Sequence, residues 1–174
     1  MSEPSDLPPE SAPSGEQAPP LAPIRIMGQY IKDLSFEVPG APEIYSILQR
    51  EAPEIPISLD VAARNIAGST FEVSLTIHLE AALPDRKAFI LELVYCAAVD
   101  VNTQIVAEEH VHPLLMIEIP RQLFPFARQI VSDITGHGGF PPLQLQMVDF
   151  ALLYRQKFGI PGQPPPQEPQ PAVH

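Results

Sequence analysis

The residues that could most readily do chemistry in this sequence are two neighbouring histidines with two glutamates. Glu108, Glu109, His110 and His112 are of the types that bind zinc and activate water. The histidines are two residues apart, however, so their side chains share a face only on a strand. The pattern favours an exposed polar strand end. A small metal-dependent hydrolase is the less favoured alternative, and we expect no metal site and no cofactor.

Two further features could suggest an enzyme. Cys96 could act as a nucleophile with His78 or His110 as its base, but it lies in an apolar run typical of a core strand. The glycine-rich residues 136–139 lack the Lys-Ser/Thr pair of a phosphate-binding loop, and they favour the end of a helix. No catalytic residue is therefore predicted, and we expect no enzyme.

A group of acidic residues favours the docking of another protein. Asp33, Glu37 and Glu92 fall on the polar faces of predicted strands. Ile31 and Ile90 are predicted to share those faces, which would give an acidic patch an apolar centre. Such a surface suits a basic partner. The alternative is an ordinary solvated sheet face.

Proline and charge divide the chain into one domain and two tails. Of the 23 prolines, seven lie in residues 1–23 and six in residues 159–174. We predict a disordered Pro/Glu-rich tail at 1–23, a folded domain at 24–158 and a disordered Pro/Gln-rich tail at 159–174. All ten Lys and Arg residues lie in the domain, together with 16 of the 21 acids. This acidic excess argues against nucleic-acid binding.

Three features predict a cytoplasmic protein. The single cysteine among the 174 residues leaves no internal disulfide, which fits a reducing compartment. The N-terminus, Met-Ser-Glu-Pro, lacks the basic and apolar regions of a signal peptide. No apolar run approaches the length of a membrane span.

Alternating apolar and polar residues predict four antiparallel strands, at 24–38, 57–66, 71–83 and 88–101. The third strand has one apolar face and one polar face that includes Glu72, so one side of the sheet is buried and the other is wet. In the first strand, the alternation places Asp33 and Glu37 opposite the aromatic residues. Residues 43–56 are predicted to be a long irregular loop.

The hydrophobic period becomes helical from about His112. Apolar residues recur at steps of three and four as far as Ile134, which predicts a long helix. Pro120 and Pro125 lie within it, and each costs about 3 kcal/mol in a helix interior, so we expect kinks. A short last helix is predicted after Asp149, a favourable N-cap. The predicted fold class is α+β, a four-stranded antiparallel sheet with a long kinked helix and a short C-terminal helix.

Several spaced motifs resemble the family of the protein-export chaperone SecB. Pro-Arg-Gln-Leu-Phe-Pro-Phe-Ala-Arg at 120–128 is followed by Gly-Phe-Pro-Pro-Leu-Gln-Leu at 139–145 and Val-Asp-Phe at 148–150. Tyr-Ile-Lys-Asp-Leu-Ser-Phe-Glu-Val-Pro at 30–39 and Ala-Phe-Ile-Leu-Glu at 88–92 are similar to that family's first-strand and fourth-strand motifs. The resemblance covers the whole predicted domain.

The resemblance implies a SecB-like fold and a chaperone function. Members of the family hold unfolded precursor proteins in the cytoplasm without ATP and deliver them to the translocase motor SecA. The expected assembly is a homotetramer, a dimer of dimers, with no nucleic acid and no insertion into the membrane. The alternative of the same fold is an oligomeric adaptor of the toxin–antitoxin type.

The resemblance also implies roles for residues at matched positions. SecA, through its basic, zinc-bearing C-terminus, would dock on Asp33, Glu37, Ile90 and Glu92. Client grooves would be lined by apolar residues flanking the long loop and the last helix, namely Tyr45, Ile55, Ile57, Leu59, Phe140, Phe150 and Leu153. The long helix would form the tetramer interface through four apolar residues, Leu123, Phe124, Phe126 and Ile130.

Overall fold

A computed structural model describes residues 22–159 of the chain. Its strands are β1 (Ile24–Glu37), β2 (Ile57–Ala67), β3 (Thr70–Leu83) and β4 (Arg86–Val101). Its helices are α1 (Ile44–Ile47), α2 (Glu108–Pro113), α3 (Ile119–His137) and α4 (Phe150–Phe158), and a π-helical segment (Leu114–Glu118) joins α2 to α3. The tails predicted at 1–23 and 159–174 lie outside the described residues, apart from Ala22, Pro23 and Gly159.

The four strands form one antiparallel sheet in the order β1-β4-β3-β2. Tight hairpins join β2 to β3 and β3 to β4, and Gly68 in the first hairpin has a positive φ of 55° that favours glycine. β1 pairs with the far side of β4, so β1 and β2 are the edge strands. Each strand begins and ends within two residues of its predicted bounds. The predicted α+β class is confirmed.

One face of the sheet, called the inner face below, lies under the helices. Leu75 and Ile77 of β3 and Leu91 and Leu93 of β4 are fully buried there, in one cluster with Leu123 of α3. Burying a side chain of this size contributes about 1.5–3 kcal/mol relative to leaving it exposed. The opposite face, called the outer face, carries the alternate residues of the strands. None of the helices in residues 22–159 covers it.

β1 departs from strict alternation at a β-bulge between Ile31 and Asp33. The bulge inserts Lys32, so Asp33 and Glu37 share the outer face with Tyr30, while Ile31 lies opposite an inner-face residue. The prediction that the aromatic residues lie opposite the acids is therefore wrong for Tyr30. The placement of Ile31 beside the acids is wrong for the same reason.

The predicted long helix is present but irregular. It begins at Glu108, earlier than predicted, and passes through the π-helical segment before continuing as α3 to His137. Pro120 is the second residue of α3 and directly follows the π-helical segment and Ile119. Pro125 lies inside α3. The π-helical segment is thus where the helix departs from regular geometry, and such segments commonly accompany kinks.

The remaining helices are short and lie at either side of the long one in sequence. α1 falls within residues 43–56, which were predicted to be irregular throughout. Its first residue, Ile44, is fully buried in a second apolar cluster. α4 begins at Phe150, and the predicted N-cap Asp149 accepts a hydrogen bond from the Leu152 amide at 3.0 Å. Among residues 22–159, no helix has the length and the apolar character needed to cross a membrane.

Candidate protein-binding sites

Four residues predicted to bind a partner protein lie together on the outer face, and we call them the acidic patch. They are Asp33, Glu37, Ile90 and Glu92. Glu37 lies directly opposite Ile90, and Asp33 lies opposite Val94, so that Glu92 falls between these two pairs on the same face of β4. The β-bulge in β1 is what brings both β1 acids to this face.

The acidic patch is open to solvent and short of cations. Asp33 and Glu37 are exposed and form no ion pair within residues 22–159. Glu92 is also exposed, and one of its oxygens lies 3.0 Å from Nδ1 of His78, its cross-strand neighbour on β3. Exposed carboxylates with few partners can accept hydrogen bonds from basic groups of another molecule.

Ile90 is the apolar centre of the patch. It is half-buried, and its neighbours across the strands are Glu37 on β1 and Glu80 on β3. Glu80 differs from the patch acids because it binds Nζ of Lys87 at 2.9 Å. The charge of the β3 side is therefore partly neutralised, and the free negative charge is concentrated on the β1 and β4 side.

At the other end of the outer face lies a buried carboxylate that sequence reasoning missed. Glu72 was predicted on a wet face but is only 4% exposed. It accepts hydrogen bonds from the Tyr30 hydroxyl at 2.5 Å, from Lys32 Nζ at 2.9 Å and from Arg64 Nε at 2.5 Å. We call these four residues the Glu72 cluster. Its donors come from β2, which pairs directly with β3, and from β1, which lies beyond β4, so no short spacing in the sequence indicates the whole set.

The three donors change the acid–base behaviour of the Glu72 cluster. They hold the pKa of Glu72 at about 2, with the hydrogen bond from Arg64 as the largest cause, followed by those from Tyr30 and Lys32. The carboxylate in turn raises the pKa of Tyr30 to about 12 through the hydrogen bond that it accepts. Glu72 is therefore ionised and satisfied, which suits a structural role.

The predicted client-groove residues divide into separate groups. Tyr45 and Phe140 pack with ring centroids 5.3 Å apart in the second apolar cluster, and Ile55 packs against the same cluster. Tyr45 also donates a hydrogen bond to the Gly138 carbonyl at 2.8 Å. Phe140 is buried, so Tyr45 and Ile55 are the members of this group with surface left for a client.

The second group lies between β2 and α4. Leu59 and Leu153 line a cleft of about 250 Å³, and Ile57 is exposed near it on β2. Phe150 does not line this cleft, because it is 2% exposed and packs edge-to-face on Phe124 at 5.8 Å. Phe150 is therefore a core residue of the single chain that anchors α4, and of this predicted group it has the least surface to offer a groove.

A second and larger cleft was not predicted. It has a volume of about 610 Å³ and is lined by apolar residues that include Phe71, Val106 and Val111, together with Ala63 of β2. Ala63 follows Leu59 on the inner face of β2, so the two clefts lie along the same strand. Its lining comes from β2, β3, the loop after β4 and α2, which are distant in sequence and give no local signal.

Of the four residues predicted at an oligomer interface, two have no surface to offer. Leu123 and Phe124 are buried in the core of the single chain, at 0% and 2% exposure. Phe126 is exposed and stacks on Tyr95 with a centroid distance of 6.4 Å, and Ile130 is half-buried. The interface prediction therefore rests on Phe126 and Ile130.

The residues considered for catalysis are not brought together. His110 and His112 lie in α2 and not at a strand end, and side chains two apart on a helix do not face each other. His112 instead contacts the Tyr154 hydroxyl at 3.0 Å. Within residues 22–159, no three His, Cys, Asp or Glu side chains form a group that could hold a metal ion.

Cys96 is buried on the outer side of β4, as the core prediction requires. Burial is the largest cause that raises the pKa of its thiol, and the negative charge of Glu72 raises it further. A raised pKa disfavours the thiolate that a nucleophile needs. His78, one of the two bases considered for it, is engaged with Glu92.

Comparison with known proteins agrees with the fold and with the motifs. The family model described as SecB, preprotein translocase subunit SecB, matches residues 16–159. The chain is 52% identical over 136 residues to the protein-export protein SecB of Rhodospirillum rubrum, covering 78% of this chain and 82% of that protein. It is 49% identical over 137 residues to the protein of the same name from Paramagnetospirillum magneticum, covering 79% and 86%.

A solved structure with the same fold is a SecB-like chaperone of Mycobacterium tuberculosis, in complex with a ChAD peptide from the HigA1 antitoxin. The TM-score is 0.59 at 19% sequence identity, over 72% of this chain and 90% of that one. At this identity the likeness supports the fold alone. Together, the family model and the relatives establish that this chain belongs to the SecB family of preprotein translocase subunits.

Proposed function

We propose that this SecB protein is an ATP-independent cytoplasmic chaperone that holds unfolded preproteins and delivers them to the motor SecA. The observation that carries the proposal is the pairing of apolar clefts along β2 with a separate, exposed acidic patch on the outer face. The clefts bind the unfolded preprotein, and the acidic patch binds SecA. The protein is not an enzyme, and its function depends on binding alone.

The clefts along β2 suit unfolded chains. The smaller cleft is lined mainly by apolar side chains, and the larger one has apolar side chains alongside polar ones such as Asn65 and Glu108. Together they extend from Leu59 past Ala63 on one strand. A holding chaperone needs apolar contact with little sequence preference, because it acts by lowering the concentration of free unfolded chain. Tyr45 and Ile55, which pack against the second apolar cluster, offer further apolar surface.

The edge strand β1 supports assembly into a homotetramer, a dimer of dimers. A long edge strand leaves unpaired backbone groups, and Met27 and Ile31 on β1 are 49% and 46% exposed. Pairing with β1 of a second copy would satisfy the unpaired backbone groups and bury the two apolar side chains. Phe126 and Ile130 on α3 supply apolar surface for the second contact. A tetramer would present several weak client sites to one unfolded chain, which raises its affinity through effective concentration.

The acidic patch supports docking of a basic partner. Its carboxylates surround the half-buried Ile90, which is the arrangement of a polar rim around an apolar centre. Asp33, Glu37 and Glu92 would receive the basic C-terminus of SecA. The toxin–antitoxin adaptor is the competing function of the same fold, and it predicts binding to an antitoxin in place of preproteins.

The proposed holding function is tested by native mass together with suppression of aggregation. The purified protein should have the mass of a tetramer, and without ATP it should keep a chemically unfolded preprotein from aggregating. Leu153→Asp should reduce the suppression several-fold, since Leu153 lines the cleft beside β2. Leu152→Asp on the same helix is the matched control, because Leu152 is exposed and lines neither cleft. Suppression that needs ATP, or equal loss in the two variants, would contradict the proposal.

A further inference from the structure

We propose that His78 is a positioning residue of the acidic patch, which holds the carboxylate of Glu92 in the orientation that receives the basic partner. This inference rests on the proposed docking function and adds a residue from β3 to a site formed by β1 and β4. His78 lies directly opposite Glu92 in the antiparallel ladder, and its Nδ1 is 3.0 Å from Oε1 of Glu92. Side chains directly opposite one another are the pairs that interact most strongly across strands.

The chemistry of the contact fixes its direction. A carboxylate only accepts hydrogen bonds, so Nδ1 of His78 carries the proton and donates it to Oε1 of Glu92. The second oxygen, Oε2, has no partner among residues 22–159 and remains available to an incoming cation. The bond at Oε1 therefore orients the carboxylate of Glu92, while Oε2 remains exposed to an incoming cation.

An imidazole is suited to this role because it can orient the carboxylate without adding a full positive charge. The adjacent acid on β3 shows the contrast, since Glu80 is bound by the ammonium of Lys87 at 2.9 Å. A lysine opposite Glu92 would neutralise the patch in the same way. The other residue opposite His78, Ser58 on β2, is uncharged, and the neighbour two residues before it on its own strand face, Thr76, is uncharged as well.

Orienting Glu92 in the free protein should strengthen docking. A glutamate side chain has many rotamers, and fixing it on binding costs conformational entropy, which reduces the affinity. A side chain that is already oriented in the free protein avoids much of this cost. Both partners are exposed, with 41% and 54% of their side-chain surface accessible, so the contact does little for the fold. Its consequence should appear in the affinity for SecA and not in the unfolding free energy.

The test measures the affinity of the full-length protein for purified SecA. His78→Ala should weaken binding about threefold to tenfold, the range expected for one unrestrained side chain. His78→Asn should restore binding to within about twofold, because its amide nitrogen occupies the position of Nδ1 and can donate to Glu92. Thr76→Ala, on the same face and opposite Val94, is the matched control and should leave the affinity unchanged. All variants should keep the melting temperature of the wild type.

A double variant separates this inference from the docking proposal. If Glu92→Ala weakens SecA binding and His78→Ala has no further effect in that background, His78 acts through Glu92. If Glu92→Ala weakens binding but His78→Ala alone does not, or strengthens it, the positioning role is overturned and docking at the patch stands. If Glu92→Ala has no effect, the docking proposal fails, and the positioning role fails with it.

Discussion

The two ends of the outer sheet face carry carboxylates in opposite environments, one buried and hydrogen-bonded and the other exposed. At one end, Glu72 is almost fully buried and accepts hydrogen bonds from three donors. At the other end, Asp33, Glu37 and Glu92 are exposed, and within residues 22–159 only Glu92 has a side-chain partner, the imidazole of His78. A satisfied carboxylate stabilises the fold, whereas a hydrated one is available to another molecule.

The difference comes from where the cations lie in the sheet. The bulge residue Lys32 on β1 and Arg64 on β2 reach Glu72 from both sides, although all three residues belong to different strands. Asp33 and Glu37 form no ion pair with a cationic side chain in the described part of the chain, because Lys32, which precedes Asp33, is bound to Glu72. Acids with the same pattern in sequence therefore have different roles.

The largest effect that separates the two ends is expected for Glu72→Leu. Removing the carboxylate leaves the Tyr30 hydroxyl without its acceptor and two cations without their partner, so the unfolding free energy should fall by about 1–3 kcal/mol. Glu80→Leu is the matched control on the same strand face, and its exposed ion pair with Lys87 predicts a change below about 1 kcal/mol. Chemical denaturation measures both, and equal losses would break the comparison.

A pH dependence follows from the lowered pKa of Glu72. The folded-state pKa is about 2 and lies below the ordinary value of 4.5, so the stabilisation is complete above about pH 5 and is lost as pH falls towards 2. The difference in unfolding free energy between the wild type and Glu72→Gln should shrink across this range. Denaturation at a series of pH values measures it, and a constant difference would contradict the assignment.

A smaller effect is expected for Tyr30→Phe. The substitution removes one of the three hydrogen bonds to Glu72 and leaves the two cations in place, so the loss should be about 0.5–1.5 kcal/mol. The loss should disappear in a Glu72→Leu background, which has no acceptor at this position, if the hydroxyl acts only through the carboxylate. Denaturation of the two single variants and the double variant tests this, and additive losses would show that Tyr30 acts through other contacts.

The smallest effect on stability is expected in the acidic patch. Glu37→Gln removes an exposed charge that has no partner in the described chain, so the unfolding free energy should change by no more than about 0.5 kcal/mol. A loss comparable to that of Glu72→Leu would mean that the patch, too, is part of the structural framework.

The strands could be predicted from sequence because the hydrophobic pattern is local. The alternation along β3, for example, ends within one residue of the observed strand. The bulge at Lys32 could not be predicted, because one inserted residue breaks the alternation without leaving a signal of its own, and the faces of Tyr30 and Ile31 were interchanged as a result. The acids beyond the bulge keep their mutual spacing, so their shared face was predicted.

The burial of individual residues was harder to predict than the elements. Phe150 and Phe124 lie in apolar stretches that fit either a groove or a core, and their edge-to-face contact across α3 and α4 is a tertiary feature. Glu72 was assigned to a wet face because its three donors are distant in sequence or on another strand. The alternation of apolar and polar residues separates the two faces of a sheet, but it does not show which residues of other strands a side chain contacts.

The most direct test of the division between the two ends is the affinity for purified SecA of Glu92→Lys and Glu72→Leu, each measured beside its melting temperature. Reversing the charge of Glu92 should weaken binding at least about tenfold at physiological salt while the melting temperature stays unchanged. Glu72→Leu should lower the melting temperature and, below it, retain the affinity of the wild type. Unchanged binding by Glu92→Lys would contradict the assignment of the acidic patch to docking.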